Sequence, residues 1–276
     1  MRILCCLTRD LASSLALNAL LPKLARHTVR VGLAEQVGHT PVDEPPQRRE
    51  LRIAEQAWPN LALFPMVERA GQADTGERNL TFAEMQRLRG IPVDRLVDPN
   101  KDAGLALVKS FAPDLILSVR YGGIFKPASI SIPPLGVLNL HSGLLPAYRG
   151  ILPTFRAMMN EDAEIGCTLH YVRDGSIDTG DIVAIHRRPL QRERSLLKNV
   201  LQHYPAGVEM ICSALERLEQ GGEVPSAVQT HGAAAYYTYP TAQEWNEFTR
   251  RGWRVADPSD LHEVTLSYLA RGWPPQ

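Results

Sequence analysis

Two polar side chains end an apolar run in the middle of the chain. The run Leu135–Leu138 is followed by Asn139 and His141, and then by a loop rich in Gly and Pro. Because side chains alternate along a strand, Asn139 and His141 project from the same side. An amide donor and a protonated imidazole can together stabilise negative charge that develops on a carbonyl oxygen. The structural alternative is that both side chains only tie down the loop.

A carboxylate in a second loop is the third candidate. Asp178 lies in the Gly-containing segment 173–181, between two predicted strands, and taken alone this pattern is typical of a turn. Next to an imidazole, however, a carboxylate can orient the ring and relay a proton from an attacking group. Ser142 lacks the elbow pattern of a serine hydrolase. The combination therefore favours acyl transfer without a protein nucleophile.

The elements that must position these residues alternate between strands and helices. We predict an α/β fold with a doubly wound, Rossmann-like and mostly parallel sheet, whose carboxyl edge is the expected ligand site. Residues 39–72 are predicted to be irregular apart from one helix at 47–57, because five prolines interrupt them. Pro205 should kink a helix over 195–220 or mark where one helix gives way to another. The predicted strands are 1–7, 29–34, 92–97, 114–119, 136–140, 164–172 and 182–188.

The composition changes near the end of the chain. We predict a catalytic domain over residues 1–220 and a small, aromatic-rich C-terminal extension over residues 221–276. Tyr236, Tyr237 and Tyr239 in this extension either pack it onto the domain, which is the commoner role, or contact a ligand or a second copy of the chain.

Charge and cysteine content exclude several classes of protein. Lys plus Arg and Asp plus Glu both number 30, so a nucleic-acid partner is not expected. The adjacent Cys5 and Cys6 do not have the spacing of a metal site, and no metal is expected. The start of the chain does not resemble a secretory signal and no stretch reaches membrane-spanning length, so we expect a cytoplasmic protein without a membrane partner.

Three motifs resemble those of the folate-dependent formyltransferases, a family that includes the glycinamide ribonucleotide, methionyl-tRNA and amino-sugar enzymes. The motifs are Asn139–His141, Leu144–Gly150 and Ile177–Asp181, and the resemblance covers about residues 90 to 190. It implies that Asn139, His141 and Asp178 are catalytic. The implied reaction is direct attack of a substrate amine on the formyl carbon of 10-formyltetrahydrofolate.

The resemblance also implies where the folate binds. The contacts would come from the loop after the strand at 114–119 and from the Asp178 loop, with Gly123, Ile124, Phe125 and Asp174 as candidates. A simple turn is the alternative role for Gly122 and Gly123, because a flat ring recognised by backbone groups needs the same small residues.

The acceptor side is less well defined. Tyr148 and Arg149 border the predicted cleft and are candidates for substrate binding, although surface solvation is the commoner fate of an Arg. Two departures from the family pattern concern this region. Ser142 and Gly143 stand in swapped order, and the Asp178 loop is one residue longer than the commonest form.

The acceptor is inferred from the loops and additional domains that distinguish the enzymes of this family. The glycinamide ribonucleotide enzymes have a Gly-Ser-Asn phosphate loop after the first strand, where this chain has Leu7–Ala12. We expect neither the basic tRNA-binding domain of the methionyl-tRNA enzymes nor the leading domain of the formyl-folate hydrolases. A small-molecule amine remains, and we favour a nucleotide-linked amino sugar, with a homodimer left possible. The alternatives are an amino-acid-derived amine or hydroxylamine, a formyl-folate hydrolase and a non-catalytic folate-binding module.

Overall fold

A seven-stranded sheet forms the centre of the computed structural model, which describes residues 1–36, 43–230 and 235–269. Its strand order is β3-β2-β1-β4-β5-β7-β8, and a separate two-stranded sheet joins β6 to β9. The strands are β1 (Arg2–Thr8), β2 (Thr28–Ala34), β3 (Val93–Arg95), β4 (Leu115–Val119), β5 (Val137–His141), β6 (Arg149–Gly150), β7 (Glu164–Tyr171), β8 (Ile182–Pro189) and β9 (Tyr236–Tyr237).

The first five strands of this order run parallel, and β7 and β8 are added antiparallel. Each strand predicted from the sequence is present, which confirms the mostly parallel, Rossmann-like α/β fold. The order in which strands are added to the sheet reverses between β1 and β4. The strands β2 and β3 lie on one side of β1, and the later strands lie on the other. Such a switch in strand order opens a crevice at the carboxyl edge of the sheet.

The apolar runs of the central strands reflect burial on both faces. Along β1, Ile3, Cys5 and Leu7 join one core cluster, packed mainly against α1 and α9, whereas Leu4 and Cys6 join a second cluster with α5. The helices around the sheet are α1 (Leu11–Leu20), α2 (Pro46–Arg52), α3 (Phe64–Ala70), α4 (Phe82–Arg89), α5 (Asp102–Phe111), α6 (Pro127–Ile130), α7 (Pro153–Met159), α8 (Leu196–Leu201), α9 (Tyr204–Glu219), α10 (Ala242–Arg250) and α11 (Pro258–Tyr268).

The prediction of an irregular segment after residue 57 is wrong. Helix α2 continues through π-helical turns at Ile53–Ala57 and Pro59–Leu63 into α3. In these turns the N–H of Trp58 donates to the carbonyl of Ile53, five residues back. The wider winding shifts the hydrogen-bond partners around the prolines, so the chain stays helical where an α-helix would break.

The helix predicted over 195–220 is two helices. Helix α8 ends at Leu201, α9 begins at Tyr204, and Pro205 lies in the first turn of α9, where its missing N–H is tolerated. The second of the two alternatives for Pro205 is therefore confirmed. Within the described part of the chain, no helix has the length and apolar character needed to cross a membrane.

The described part of the C-terminal extension packs into the main core. Trp245 and Phe248 on α10 are completely buried and stack around Phe155 of α7, at centroid distances of 4.5 and 4.8 Å. The hydroxyl of Tyr268 on α11 donates to Ser14 of α1. Trp273 lies outside the described residues. The extension therefore shares the core of the sheet-bearing part, while the boundary at residue 220 stays a prediction.

Candidate active site

A cavity of about 410 Å³ opens at the carboxyl edge of the sheet, beyond the ends of β4 and β5. One wall consists of residues from β5, β7 and the Asp178 loop. The opposite wall comes from α2 and the following π-helical turns. Three wall residues, Arg120, Leu152 and Asp178, have left-handed φ angles of 53°, 54° and 55°. Such conformations are costly for residues with a Cβ and cluster at functional sites.

The three predicted catalytic residues meet on the first wall. His141 Nδ1 lies 3.5 Å from Asp178 Oδ2, and Asn139 Nδ2 lies 3.5 Å from Asp178 Oδ1. Asn139 and His141 end β5, so the strand aims both side chains at the cavity, as their alternation predicts. The carboxylate thus lies between the amide and the imidazole.

Both ring nitrogens of His141 have acceptors beside them. Nε2 lies 2.7 Å from the carbonyl oxygen of Tyr148, which can only accept, so Nε2 carries a proton. Nδ1 faces the Asp178 carboxylate, and a bare nitrogen there would oppose a negative charge. An imidazole held in this way can stabilise negative charge or exchange a proton.

Asp178 is held by backbone as well as by side chains. Its Oδ2 accepts from the N–H of Gly150 at 2.9 Å, and the amide of Gln229 donates to its carbonyl oxygen at 3.0 Å. Burial alone would raise the pKa of the Asp178 carboxyl, but His141, His170 and the Gly150 N–H together lower it well below its ordinary value. Asp178 is therefore a carboxylate at neutral pH.

His170 is a fourth member of this cluster. It lies on β7 directly opposite Asn139 and is completely buried. Its Nε2 lies 3.0 Å from Asn139 Nδ2 and 3.4 Å from Asp178 Oδ1. Its Nδ1 lies 2.8 Å from the carbonyl oxygen of Tyr171. Asp178 thus has one histidine at each of its two oxygens.

The second wall is organised by a buried cation. Arg120 follows β4 and donates from Nε to Asp10 at 3.0 Å and from Nη2 to Glu55 at 3.0 Å. Burial alone would lower the pKa of Arg120, but the two carboxylates raise it. Burial raises the pKa of Glu55, against the lowering effect of Arg120. The three side chains connect the loop after β1, the π-helical turn and the end of β4.

One face of the long helix at 46–70 supplies the rest of this wall. Its cavity-lining residues follow helical spacing: Arg48, Leu51, Arg52, Glu55 and Gln56. Arg52 makes a double hydrogen bond with Glu44, and Arg48 lies with its guanidinium 3.7 Å above the ring of Tyr239. This wall therefore carries fixed charges that are largely paired.

Gly123, Ile124, Phe125 and Asp174, the four predicted folate contacts, all line the cavity. Ile124 is 48% exposed, which leaves an apolar side chain free to cover a ring. A side chain at Gly123 would overlap the ring of Tyr121, so this position requires glycine for packing. The loop Tyr121–Phe125 therefore lines the cavity with backbone at Gly123 and with the exposed apolar side chain of Ile124.

A model of a known family matches part of the chain. Residues 86–201, which contain β4, β5 and the Asp178 loop, match the model described as "Formyl transferase". This part of the chain is therefore similar to formyl transferase domains. This match confirms the resemblance drawn from the three motifs.

Curated relatives and solved structures extend the comparison. The chain is 34% identical over 142 residues to the methionyl-tRNA formyltransferase of Synechococcus sp. (strain JA-3-3Ab), covering 51% of this chain and 44% of that enzyme. The chain thus spans about half the length of such relatives.

Solved structures share the fold over more of the chain. Glycinamide ribonucleotide transformylase 1 from Symbiobacterium toebii has a TM-score of 0.56 at 17% identity and covers 83% of this chain and 94% of its own. An N-formyltransferase from Helicobacter canadensis, solved with folinic acid and dTDP-3-aminofucose, has a TM-score of 0.56 at 14% identity. It covers 94% of this chain and 85% of its own. At these identities the likeness shows the fold alone.

The structure does not bring the side chains of the two predicted acceptor residues into the cavity. The Tyr148 hydroxyl donates to Asp162 at 2.5 Å and the ring stacks on Tyr237, so the side chain points into a separate small cluster. Arg149 pairs with Tyr236 in the two-stranded sheet and does not line the cavity. What Tyr148 supplies to the site is its backbone carbonyl, which holds His141. Substrate contact by either side chain stays a prediction.

The swapped Ser142 and Gly143 have a packing explanation. A Cβ at position 143 would overlap Pro153 and lie 2.9 Å from His141 Nε2. Only glycine lets the loop pass this close to the His141 ring. The carbonyls of Ser142 and Gly143 accept from Thr154 and Thr168, so the loop is held by hydrogen bonds on both sides.

The sequence reasoning missed His170, Arg120 and Glu55. His170 had a usable signal, because it is a polar residue inside a predicted strand, as Asn139 is. Arg120 likewise follows an apolar strand directly. Glu55 had no comparable signal, since a charged residue in a helix is normally solvated.

Proposed function

We propose that this protein is an N-formyltransferase that moves a formyl group from 10-formyltetrahydrofolate to the amine of a small molecule. The observation that carries the proposal is that Asn139 and His141 each lie 3.5 Å from the Asp178 carboxylate, on the wall of one cavity. The group contains no Ser, Cys or Lys side chain, and an amide, an imidazolium and a carboxylate suit direct transfer.

The formyl donor would bind where the predicted folate contacts line the cavity. Gly123, Ile124 and Phe125 would receive a flat pterin ring, and Asp174 would accept hydrogen bonds from its N–H groups. When bound, the donor supplies the activated formyl carbonyl. Asn139 and His141 then stabilise the negative charge on the carbonyl oxygen during attack. Asp178 orients the His141 ring and takes part in moving the proton released by the amine.

We infer that the acceptor is a nucleotide-linked amino sugar. Tyr236 lines the cavity and is 49% exposed, so its ring is free to stack on a base. The Helicobacter canadensis neighbour was solved with such a compound. An amino-acid-derived amine or hydroxylamine is the alternative small acceptor.

The loop after β1 argues against an acceptor that places a phosphate there. The carboxylate of Asp10 already caps α1, accepting from the N–H of Ser13 at 2.7 Å, and it is completely buried against Arg120. A helix N-terminus binds anions through its free N–H groups and dipole. Here the chain's own carboxylate occupies that position.

Methionyl-tRNA is a second candidate acceptor, because a curated relative with that activity is 34% identical over half of this chain. The balanced charge of the chain gives no comparable support for binding a polyanion.

The remaining predictions concern the rest of the molecule. We propose that the C-terminal extension completes the acceptor side of the site, since it contributes Tyr236 to the cavity and Gln229 to the Asp178 loop. Homodimer formation and a cytoplasmic location stay predictions.

The decisive experiment is an acceptor screen with 10-formyltetrahydrofolate, read by mass for the gain of one formyl group. Its arms are nucleotide-linked amino sugars, amino-acid-derived amines and hydroxylamines, methionyl-tRNA, and no acceptor. We expect formylation in the amino-sugar arm, and loss of it in His141→Ala and Asp178→Ala while the variants still bind folate. Formate release without acceptor would indicate a hydrolase, and folate binding without turnover in any arm would indicate a binding module.

A further inference from the structure

Three arginines of helix α2 share one carboxylate. The carboxylate of Glu44 lies within 4.0 Å of three guanidiniums, those of Arg48, Arg49 and Arg52. The hydrogen bond from Arg52 lowers the pKa of Glu44, so the carboxylate is ionised at neutral pH. One negative charge cannot neutralise three guanidiniums, which keep their protons at all accessible pH values. These four side chains together therefore carry an excess of positive charge.

Only two of the three arginines face the cavity. Arg48 and Arg52 line it, whereas Arg49 does not. The two lie four residues apart, which places them on neighbouring turns of one helix face. The side chain of Arg49 is 61% exposed, against 11% for that of Arg48. The excess charge is thus directed at the cavity from two positions and at solvent from the third.

Both cavity arginines are held in place by other side chains. Arg52 donates from Nε and Nη2 to Glu44, at 3.0 and 2.8 Å, while Nη1 makes no hydrogen bond to any described residue. Arg48 lies against the ring of Tyr239. Stacking uses the flat face of a guanidinium, whereas its hydrogen bonds run in its plane. The two side chains are therefore ordered before a ligand binds, which lowers the entropic cost of binding.

The cavity arginines and the predicted folate contacts belong to opposite sides of the sheet. Phe125 packs in the core cluster on the α5 side. Leu51, between the two arginines on α2, packs in the cluster covered by α1 and α9. Tyr239, against Arg48, follows by three residues the proposed base-stacking residue, Tyr236. The arginines therefore line the part of the cavity that remains for the acceptor.

We propose that Arg48 and Arg52 bind the phosphate groups of the acceptor and so select amines that carry a diphosphate. The proposal rests on the proposed function and names the part of the acceptor that this wall recognises. Guanidiniums bind phosphate oxygens through paired, charge-assisted hydrogen bonds. Two of them on neighbouring turns can each bind one phosphate of a diphosphate. Glu55, the next charged residue on this face, donates no net charge to the subsite, because Arg120 pairs with it at 3.0 Å.

Binding of a nucleoside diphosphate tests this subsite without turnover. The probes are thymidine diphosphate and uridine diphosphate, titrated by calorimetry into the protein with folinic acid present. We expect Arg48→Gln and Arg52→Gln each to raise the Kd about 10- to 100-fold, as loss of a hydrogen bond to a charged group does. Arg49→Gln is the matched control, because it removes an exposed cation from the same carboxylate. Its Kd should stay within about threefold of the wild-type value.

Kinetics separate phosphate binding from a purely structural role of the two arginines. With a nucleotide-linked amino sugar, both glutamine variants should raise KM for the acceptor and leave kcat and KM for 10-formyltetrahydrofolate nearly unchanged. With the same amino sugar lacking its nucleotide, kcat/KM should match the wild type. A structural defect would instead lower activity on both acceptors alike. Arg52→Lys keeps the charge and should recover part of the loss.

Several results would overturn the inference. One is a wild-type protein that does not bind either diphosphate, and another is an unchanged Kd in both glutamine variants. Weaker binding of folinic acid instead of the diphosphate would mean that the arginines recognise the donor's carboxylates. Formylation of phosphate-free amines alone would also contradict it.

The inference and the proposed function can fail separately. If the wild-type protein formylates no acceptor, the proposed function fails, while the calorimetric titrations still decide whether Arg48 and Arg52 bind a diphosphate. If the wild-type protein formylates a nucleotide-linked amino sugar and neither glutamine variant changes its KM, only the inference fails.

Discussion

The two walls of the cavity have opposite arrangements of acidic and basic groups. On the first wall one carboxylate, Asp178, lies between the imidazoles of His141 and His170. On the second wall one guanidinium, Arg120, lies between the carboxylates of Asp10 and Glu55. Imidazoles gain and lose protons near neutral pH, whereas a guanidinium keeps its charge at all accessible pH values. The first wall is therefore suited to moving protons, and the second wall to holding distant segments together.

The largest expected effect is on turnover, from the first wall. Asp178→Asn removes the negative charge that faces both histidines and replaces one acceptor oxygen with a donor. We expect kcat to fall about 10³-fold, within the range for loss of acid–base assistance, measured as formyl transfer to the acceptor identified by the screen. The control is Asp181→Asn in the same loop, whose partner is Arg173 on the surface, and it should stay within about twofold. Equal losses in Asp178→Asn and Asp181→Asn would show that Asp178 has no specific role in turnover. The contrast between the walls would then fail.

The next largest effect is on stability, from the second wall. Arg120→Gln leaves two buried carboxylates without their shared cation, which is expected to lower the free energy of unfolding by about 3 to 5 kcal/mol. Urea denaturation at neutral pH measures this. Arg173→Gln removes an exposed ion pair instead and should cost less than about 1 kcal/mol. If Arg120→Gln unfolds at the wild-type urea concentration, the structural role of this wall is wrong.

The difference between the walls also explains how much could be predicted from the sequence. The first wall was predictable because Asn139 and His141 follow an apolar run at the end of a strand. Their motif and the motif that contains Asp178 also resemble motifs of the same family. The central strands β1, β4 and β5 were predictable from apolar runs, which the structure buries. The second wall was not, because Asp10, Glu55 and Arg120 come from separate segments without a motif and meet only through the fold.

Helices were missed for local reasons. Pro59 and Pro65 suggested irregular chain at positions where π-helical winding and a first-turn position accommodate them. In the C-terminal extension, Thr241 and Glu244 form a capping box at the start of α10, a signal that the aromatic content of this region obscured.

A smaller effect is expected where the loop passes the His141 ring. Gly143→Ala forces a methyl group against Pro153 and to within 2.9 Å of His141 Nε2, so either the loop or the imidazole must move. We expect about 1 to 3 kcal/mol of lost stability and a fall in kcat larger than any change in KM. Gly175→Ala is the control, since its nearest neighbour lies 3.8 Å away. A fully stable and active Gly143→Ala variant would show that the ring tolerates displacement.

The effect that is smallest at neutral pH concerns a histidine behind the first wall. His203 is completely buried, with Nε2 3.2 Å from Thr154, and burial together with Arg188, His186 and His141 lowers its pKa to about 3. The unfolded chain binds a proton at this residue near its ordinary pKa of about 6.5, whereas the folded chain does not. Stability therefore falls as the pH drops from about 6.5 towards 3, by about 1.4 kcal/mol per pH unit from this residue alone.

His203→Gln removes that contribution, so its stability should decline less steeply on acidification than that of the wild type. Urea denaturation between pH 7 and pH 4 measures the two slopes, and His262→Gln on the exposed side of α11 should follow the wild-type curve. Parallel slopes for wild type and His203→Gln would mean that His203 takes up its proton in the folded protein. In that case a cation would lie behind His141, and the first wall would carry a buried positive charge that does not face Asp178.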